Sequence, residues 1–318
     1  MSARLAVALG LVMLAVACDS GNDAMAPGGG PESHSGAELP VPRTEVSGTL
    51  LAGMVVVVGG LTADGRASSL VHLYDPVAMR WRPGPSLPLG LHHFGLATLD
   101  DRVWLAGGYA NDPGGSWKAQ SGTFSLGVGE ASWREEPPLT EPRGGLAVAA
   151  LGGDLAAIGG TTATGVTARV EVLNPGQGGW RPGPDLLQAR DHLAAASSGG
   201  RVYAIGGRLG PLESNLDSVE SWAPGGMWRP EPPLNDSRGG TAAAEVAARV
   251  CVAGGEEPDG TIGSVECLVG GRWQRSATLR VPRHGLAVAG LGSQLHVVGG
   301  GPQPGLTVSG AHEVLELE

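Results

Sequence analysis

The side chains best suited to acid–base chemistry in this sequence are Glu45 and His192. Each lies two residues after a repeated arginine, at a position that is glycine in other copies of the same pattern. A carboxylate and an imidazole in one cleft can pass a proton to and from a bound molecule. No Ser–His–Asp pattern, His-Glu-x-x-His motif or phosphate-binding loop accompanies them. We therefore assign no catalytic residue and treat Glu45 and His192 as candidate binding residues.

Two further groups contain metal-ligand residue types but are poorly spaced for that role. His92 and His93 are adjacent, and neighbouring residues of a strand point to opposite faces of the sheet. The carboxylates within residues 256–260 lack the spacing of a known calcium loop, so a solvated turn is the favoured interpretation. We expect neither a metal nor a cofactor.

These residues belong to a sequence unit that occurs six times. An apolar run ending in Gly-Gly is found at residues 59–60, 107–108, 159–160, 206–207, 254–255 and 299–300, with spacings of 45 to 52 residues. A tryptophan follows five of the doublets, namely Trp81, Trp133, Trp180, Trp228 and Trp273. Repetition at such a period is typical of propellers, solenoids and other arrays of one structural unit.

Composition limits both the fold and the partners. The 318 residues include 55 Gly and 24 Pro, which disfavours long helices, whereas 42% hydrophobic residues can fill a core. The formal net charge is −10, and the 21 Lys and Arg residues are spread singly along the chain. Because nucleic acid binding needs a concentrated basic surface, we expect no nucleic-acid partner.

The doublets, the tryptophans and the Pro-Arg pairs at 42–43, 142–143 and 282–283 resemble the kelch family over residues 43–318. The resemblance implies an all-β, six-bladed β-propeller with four-stranded antiparallel blades, occupying residues 37–318. Two features depart from the family pattern. The aromatic residue before the tryptophan is Tyr74 in the first copy but Leu173 and Cys267 in others, and the second copy carries a longer insert.

The two ends of the repeat region predict how the ring closes. The sixth copy stops after its third strand, at residues 312–318, while residues 33–43 align with residues 273–283. We predict that residues near 36–42 supply the fourth strand of the last blade, which would remove an exposed sheet edge. The alternative is a loose N-terminal segment and a three-stranded last blade.

Antiparallel blades place the loops after the Gly-Gly doublets on one face, which we call the long-loop face. Loops on a rigid scaffold commonly carry recognition. The candidate binding residues on these loops are Asn111, Asp112, Trp117, Lys118, Arg208, Glu213, Glu256 and Glu257. Trp117 could stack on a sugar or a partner surface, or be covered by its own loop.

One position is predicted to be basic in all six copies: Arg43, His93, Arg143, Arg190, Arg238 and Arg283. A positive ring could hold an acidic ligand near the axis. We favour a structural role, in which each side chain bonds backbone carbonyls or a neighbouring carboxylate. Glu45 and His192 are then aligned with Gly95, Gly145, Gly240 and Gly285. As exceptions to the repeat, Glu45 and His192 are expected at the mouth of the central channel.

Cys251 and Cys267 lie in the second and third predicted strands of the fifth blade, with Asp259 at their midpoint. A hairpin centred there would place them opposite each other. A disulfide is expected in an oxidising compartment, and two buried thiols are the alternative.

The N-terminal residues have the features of an export signal. Arg4 precedes an apolar run from Leu5 to Val16, which is too short for a permanent membrane span. The sequence Leu14-Ala15-Val16-Ala17-Cys18 resembles a bacterial lipobox. The resemblance implies a signal peptide over residues 1–17, a lipidated Cys18 and a Gly-, Pro- and Ser-rich spacer over residues 18–36. The alternative is a soluble periplasmic or secreted protein with an incidental cysteine.

These features predict a monomeric binding protein of the bacterial cell envelope, held at the membrane only by its lipid. Its expected partner is another protein or an envelope glycan. The alternative is an enzyme similar to the six-bladed, kelch-like sialic-acid mutarotases, using Glu45 with His192 or a repeated arginine. An enzyme like galactose oxidase is disfavoured, because it needs a Tyr–Cys crosslink and the three tyrosines and the paired cysteines do not fit one.

Overall fold

The computed structural model describes residues 33–112 and 114–317, which are built almost entirely from short β-strands. The predicted signal peptide, Cys18 and most of the predicted spacer lie outside the described residues. Within the described part of the chain, no helix has the length and apolar character needed to cross a membrane.

The first three blades are four-stranded antiparallel sheets that follow a short strand β1 (Ser33–Ser35). The first blade contains β2 (Ser47–Leu51), β3 (Met54–Val58), β4 (Val71–Asp75) and β5 (Arg80–Pro83). The second contains β6 (Gly95–Leu99) and β7 (Arg102–Ala106), a projecting hairpin of β8 (Tyr109–Asn111) and β9 (Trp117–Ala119), then β10 (Thr123–Gly127) and β11 (Arg134–Glu136). The third contains β12 (Ala147–Leu151) and β13 (Asp154–Ile158), a small hairpin of β14 (Thr161–Thr162) and β15 (Gly165–Val166), then β16 (Val170–Leu173) and β17 (Arg181–Pro182).

The last three blades repeat this order. The fourth contains β18 (Ala194–Ser198) and β19 (Arg201–Ile205), a 3-10 helix (Leu212–Ser214), then β20 (Val219–Trp222) and β21 (Arg229–Glu231). The fifth contains β22 (Ala242–Val246) and β23 (Arg249–Ala253), a hairpin of β24 (Glu256–Glu257) and β25 (Gly260–Thr261), then β26 (Ser264–Val269) and β27 (Arg272–Thr278). The sixth contains β28 (Ala287–Leu291), β29 (Gln294–Val298) and β30 (His312–Glu316). The predicted six-bladed propeller is confirmed.

The N-terminal strand completes the last blade. Strand β1 pairs antiparallel with β30, giving the sheet order β1-β30-β29-β28. Strand β1 lies just before the segment 36–42 that was predicted to pair with β30. The reason is that Ser33, which aligns with Trp273, already stands at the start of the last blade's fourth strand. Residues 33–36 are therefore part of the propeller rather than of the spacer. The Arg280 side chain holds the strand through Ser33.

The hydrophobic core is divided into six clusters, each between two neighbouring sheets. The cluster between the last and first blades joins Ala287 and Val298 to Val55 and Tyr74. Trp133, Trp180, Trp228 and Trp273 are buried, each between its own blade and the preceding one. The innermost strands are rich in Ala and Gly because the sheets converge at the axis, where space is smallest.

Cys251 and Cys267 are directly opposite each other on β23 and β26. Their sulfur atoms form a disulfide with a Cα–Cα distance of 4.1 Å. Both residues are fully buried, so the disulfide belongs to the core between the fifth and sixth blades.

Candidate functional site

Five arginines open their blades and are completely buried: Arg43, Arg143, Arg190, Arg238 and Arg283. In four of these blades the guanidinium bonds the first Gly carbonyl of the blade's own doublet, as Arg190 Nη1 does at 2.8 Å from Gly206. Arg143, Arg190, Arg238 and Arg283 also pair with a buried glutamate on the third strand, as Arg190 does with Glu220 at 2.7 Å. Arg43 instead contacts His72, at 2.9 Å. Each of these guanidinium groups is buried and bonds to groups of its own blade, so the five arginines do not form a positive ring at the axis.

The assignment of His93 to this position is wrong. Sixteen residues separate each opening arginine from the first Gly of its doublet, and the same spacing in the second blade leads to Leu91. The Leu91 carbonyl accepts from Gly60, as the Arg143 carbonyl accepts from Gly108. The blade's third strand has Phe124 in place of the glutamate, so an apolar pair replaces the ion pair.

His93 occupies the position two residues later, which we call the axial position. Its members are Glu45, His93, Gly145, His192, Gly240 and Gly285. All six have φ between 48° and 66°, the left-handed region that glycine adopts without strain. Three side chains therefore occupy strained backbone, at a cost of about 1 kcal/mol each. Gly95, aligned with Glu45 from the sequence, is instead the first residue of strand β6.

Around these residues lies a network of charged and polar side chains that we call the axial cluster: Glu45, His93, Asp191, His192, Arg208, Glu256 and His284. Six short backbone bridges position it, each joining the residue after a blade's opening position to the residue after its doublet. Asp191 and Arg208 are joined by one such bridge, and Gly239 and Glu256 by another. The linkers between blades and the long loops thus meet at the axis.

Glu45 is the centre of one half of the axial cluster. Its Oε2 atom lies 3.1 Å from His93 Nε2, and its Oε1 atom lies 3.2 Å from His284 Nδ1. A Cβ atom at Gly285 would come within 2.5 Å of Glu45 Oε1, so this glycine leaves the space that the carboxylate occupies. The His93 and His192 rings contact each other, with centroids 4.9 Å apart. His93 therefore lies between the two residues proposed as an acid–base pair.

The other half is built on two buried carboxylates and one arginine. Arg208 Nη1 bonds Glu256 Oε1 at 2.8 Å, and Glu256 Oε2 lies 3.5 Å from His284 Nδ1. Asp191 accepts a hydrogen bond from the Thr161 hydroxyl at 2.6 Å. Burial is nearly complete, since the side chains of Asp191 and Glu256 are only 6% and 7% exposed.

Electrostatics favours the charged forms of Glu45 and Asp191 and the neutral form of His93. Burial opposes the charged form of Glu45, but His93, His284 and His192 outweigh it and lower its pKa. Burial also opposes ionisation of Asp191, whose pKa is nevertheless lowered by His192, Thr161 and Arg208. Burial lowers the pKa of His93 well below its usual value, despite Glu45. For His284, burial is outweighed by Glu45 and Glu256, so its pKa is raised.

A cavity of about 90 Å³ lies on the axis beside this cluster, lined by Glu45, His93, His192 and the three axial glycines. Trp117 lies near its edge, 51% exposed, with its ring centroid 5.2 Å from that of His93 and 4.4 Å from that of His92. The rings of His92 and His93 are only 4.8 Å apart, contrary to the expectation of opposite faces, because neither is in a regular strand and His93 has a positive φ.

The remaining loop candidates lie apart from the axial cluster. Asn111 accepts a hydrogen bond from the Ala67 backbone, and Asp112 accepts two within its own hairpin turn, so both support loop structure. Lys118, Glu213 and Glu257 are exposed. Of the predicted binding residues, the structure brings together Glu45, His192, Arg208 and Glu256, with Trp117 nearby.

Sequence reasoning missed His93 as an axial residue, and also Asp191 and His284. The sequence did contain a signal for His93. The constant spacing of sixteen residues between the opening residue and the Gly-Gly doublet makes Leu91 the opening residue of the second blade, so His93 stands at the same position as Glu45. The other two follow directly after an opening arginine, where Gly144 and Gly239 stand in other copies. Thr44 and His92 stand at the same position in the first two blades, so only two of the six copies have glycine there.

No group of three or more His, Cys, Asp or Glu side chains in residues 33–112 and 114–317 is arranged to hold a metal ion. At the opposite end of the channel, a cavity of about 300 Å³ is lined mostly by small residues, and Glu245 is its only ionisable side chain among the described residues. The charged chemistry of the channel is therefore concentrated at the long-loop face.

The chain is similar to kelch-repeat proteins. Residues 189–235 match the Kelch motif. Kelch-like protein 30 of Homo sapiens is 31% identical over 142 residues, which is 41% of this chain and 23% of the human protein. Beta-scruin of Limulus polyphemus is 25% identical over 142 residues, or 43% of this chain and 16% of that protein. These alignments span about a fifth of the length of the relatives.

The fold is also similar to a solved structure, that of YjhT. The TM-score is 0.76 at 15% sequence identity, and the similarity covers 87% of this chain and 95% of that one. At this identity the likeness shows a shared propeller fold. The Kelch motif and the kelch-like relatives support a kelch-repeat family for this chain.

Proposed function

We propose that this protein binds another protein on its long-loop face, and that it does so as an exported lipoprotein of the cell envelope anchored through Cys18. Kelch-repeat relatives and the propeller scaffold support the binding role. The observation that carries the choice of face is Trp117, a half-exposed aromatic residue beside the axial cluster. Exposed tryptophans are frequent anchors of protein interfaces.

Other exposed apolar side chains extend the same surface. Leu209 and Leu306 lie on the long loops of the fourth and sixth blades, at 45% and 51% exposure. Both follow a Gly-Gly doublet, as Trp117 does, and so lie on the same face. A rim of apolar residues around a charged centre offers a partner both buried area and orientation.

The geometry favours binding over sugar isomerisation. The cavity at the axial cluster, about 90 Å³, is well below the roughly 300 Å³ of pockets that enclose a small molecule. None of the relatives described above is named as a mutarotase. An envelope glycan held on the open face remains the second candidate, because Trp117 beside polar side chains suits sugar stacking.

The test is capture of partners from envelope extracts by immobilised protein, with a glycan array in parallel. We expect Trp117→Ala to reduce capture about tenfold, since an interface anchor contributes on the order of 1–2 kcal/mol or more. Val77→Ala is the matched control, because Val77 is 92% exposed on a turn at the opposite face. Equal capture by Trp117→Ala and wild type would contradict the choice of face, and glycan binding alone would replace the protein partner.

Lipid anchoring through Cys18 is tested separately. Cells grown with labelled palmitate should label the wild-type protein and not the Cys18→Ala variant. Label that survives Cys18→Ala, or no label on wild type, would refute anchoring while leaving the binding proposal intact.

A further inference from the structure

We infer that the axial cluster receives one cationic side chain, an arginine or a lysine, from the protein partner. This inference rests on the proposed function and assigns the channel mouth a ligand class. The partner would lie on the long-loop face and insert a single basic group at the axis, beside Trp117.

The first argument is charge. Glu45, Asp191 and Glu256 bring three carboxylates to the channel mouth, whereas Arg208 is the one Arg or Lys within the axial cluster. The pKa of buried His93 lies well below its usual value, whereas His284, whose pKa is raised, lies between Glu45 and Glu256 and is the second cationic group of the cluster. A carboxylate excess among largely buried side chains attracts a cation more strongly than the same charges would in water.

The second argument is an acceptor without a donor. Asp191 Oδ1 is buried and accepts no well-aligned hydrogen bond from the described residues. His192 Nδ1 approaches it at 3.2 Å without the direction that a hydrogen bond requires, and Arg208 Nε, at 3.8 Å, is too distant for one. Among the described residues, both nitrogens also lack a hydrogen-bond partner. A buried acceptor left in this state costs free energy, and an N–H donor from a ligand would remove that cost. Guanidinium and ammonium groups supply only donors.

The third argument is size. The cavity of about 90 Å³ has room for several water molecules, and so for one functional group rather than a whole small molecule. Glu45 lines this cavity, whereas Asp191 and Glu256 adjoin it, since they lie within 3.5 Å of where Cβ atoms at Gly145 and Gly240 would be. Gly145, Gly240 and Gly285 leave this room because they lack side chains at the axial position. The exposed ring of Trp117 near the edge offers a cation–π contact to the stem or head of a basic side chain.

The experiment uses the intact protein and four short blocked peptides that differ only at the central residue: arginine, lysine, citrulline and glutamate. Binding is followed by calorimetry and by the proton resonances of His93 and His192. We expect the arginine peptide to bind and to shift both histidines, with at least a tenfold preference over citrulline, which has the same shape without the charge. A lysine peptide that also binds in preference to citrulline supports the same ligand class.

The matched variants are Glu256→Gln and Glu257→Gln. The two residues are adjacent and carry the same charge, but Glu256 is buried in the axial cluster and Glu257 is exposed. Arginine-peptide binding should weaken about tenfold in Glu256→Gln and stay unchanged in Glu257→Gln. Asp191→Asn provides a second variant if Glu256→Gln proves unstable.

Three results would overturn the inference: equal binding of arginine and citrulline, preference for glutamate, or equal weakening in both glutamine variants. The proposed function fails separately. If Trp117→Ala loses the captured protein while Glu256→Gln and Asp191→Asn retain it, the long-loop face binds a partner but the axial cluster does not hold its basic group.

Discussion

At the scale of single residues, the propeller uses buried ion pairs that one blade shows to be replaceable. Arg143 and Glu171 are fully buried and lie 2.9 Å apart, whereas the second blade has Leu91 and Phe124 at the same two positions. Removing one partner of a buried pair leaves an uncompensated charge, but replacing both with apolar groups can be neutral. We predict that Glu171→Phe lowers the free energy of unfolding by about 3–5 kcal/mol.

The double variant Arg143→Leu/Glu171→Phe copies the second blade and should recover most of that loss. Urea unfolding of the wild type, both single variants and the double variant measures the coupling directly. A double variant that is as unstable as the sum of the two single variants would show that Leu91 and Phe124 depend on other features of their blade.

The repeat predicted the structural role of these arginines but not the axial cluster. A regular spacing identifies contacts that form within one copy of the repeat, such as those of Arg190 with Gly206 and Glu220 in the fourth blade. The contact between Glu45 and His284 joins the first blade to the last. Such contacts form only when the ring closes. The spacing within one copy of the repeat therefore does not show which of the non-repeated side chains come together at the axis.

At the scale of strands, register was easier to predict than boundaries. The hairpin centred on Asp259 placed Cys251 opposite Cys267 because pairing in an antiparallel sheet is fixed by the turn. The N-terminal strand lies a few residues before the position predicted for it, because Ser33–Ser35 has no tryptophan and no apolar pattern to mark it in the sequence. Its position is set by backbone pairing to β30 and by Arg280.

This strand should protect the edge of the last blade. We predict that a chain beginning at Ala37 unfolds with about 2 kcal/mol less free energy than a chain beginning at Pro31, because several backbone hydrogen bonds to β30 are lost. The unpaired β30 should also promote self-association. Urea unfolding and size-exclusion chromatography compare the two chains. Identical stability and mass would mean that the closure contributes nothing.

At the scale of the whole molecule, the propeller buries histidines that must stay neutral. His72, His92, His296 and His312 are all buried, and burial, the largest cause in each case, lowers their pKa values to about 4. His296 and His312 contact each other at 3.0 Å, close to the N-terminal strand, and Arg43 lies 2.9 Å from His72. Protonating any of them in the folded state places a charge where little compensates it.

This sets the direction of the pH dependence. Between about pH 6.5 and pH 4, the unfolded chain binds protons at these histidines and the folded chain does not, so stability falls as pH falls. Each histidine contributes up to about 1.4 kcal/mol per pH unit in that range. The lowered pKa of Glu45 acts in the same direction at lower pH, because its stabilisation is present above the unfolded value and is lost as the carboxylate protonates.

The raised pKa of His284 has the opposite sign and a different range. Its contribution is fully present below the unfolded pKa and is lost as pH rises through the higher folded value, so it stabilises the protein in acid but adds no slope between about pH 6.5 and pH 4. Urea unfolding from pH 7 to pH 4.5 should therefore show a steep loss of stability towards acid. Replacing His296 and His312 by Asn and Gln should make that slope shallower by nearly two protons. A wild-type stability that is flat or rises towards pH 4.5 would contradict the burial of neutral histidines at the blade interfaces.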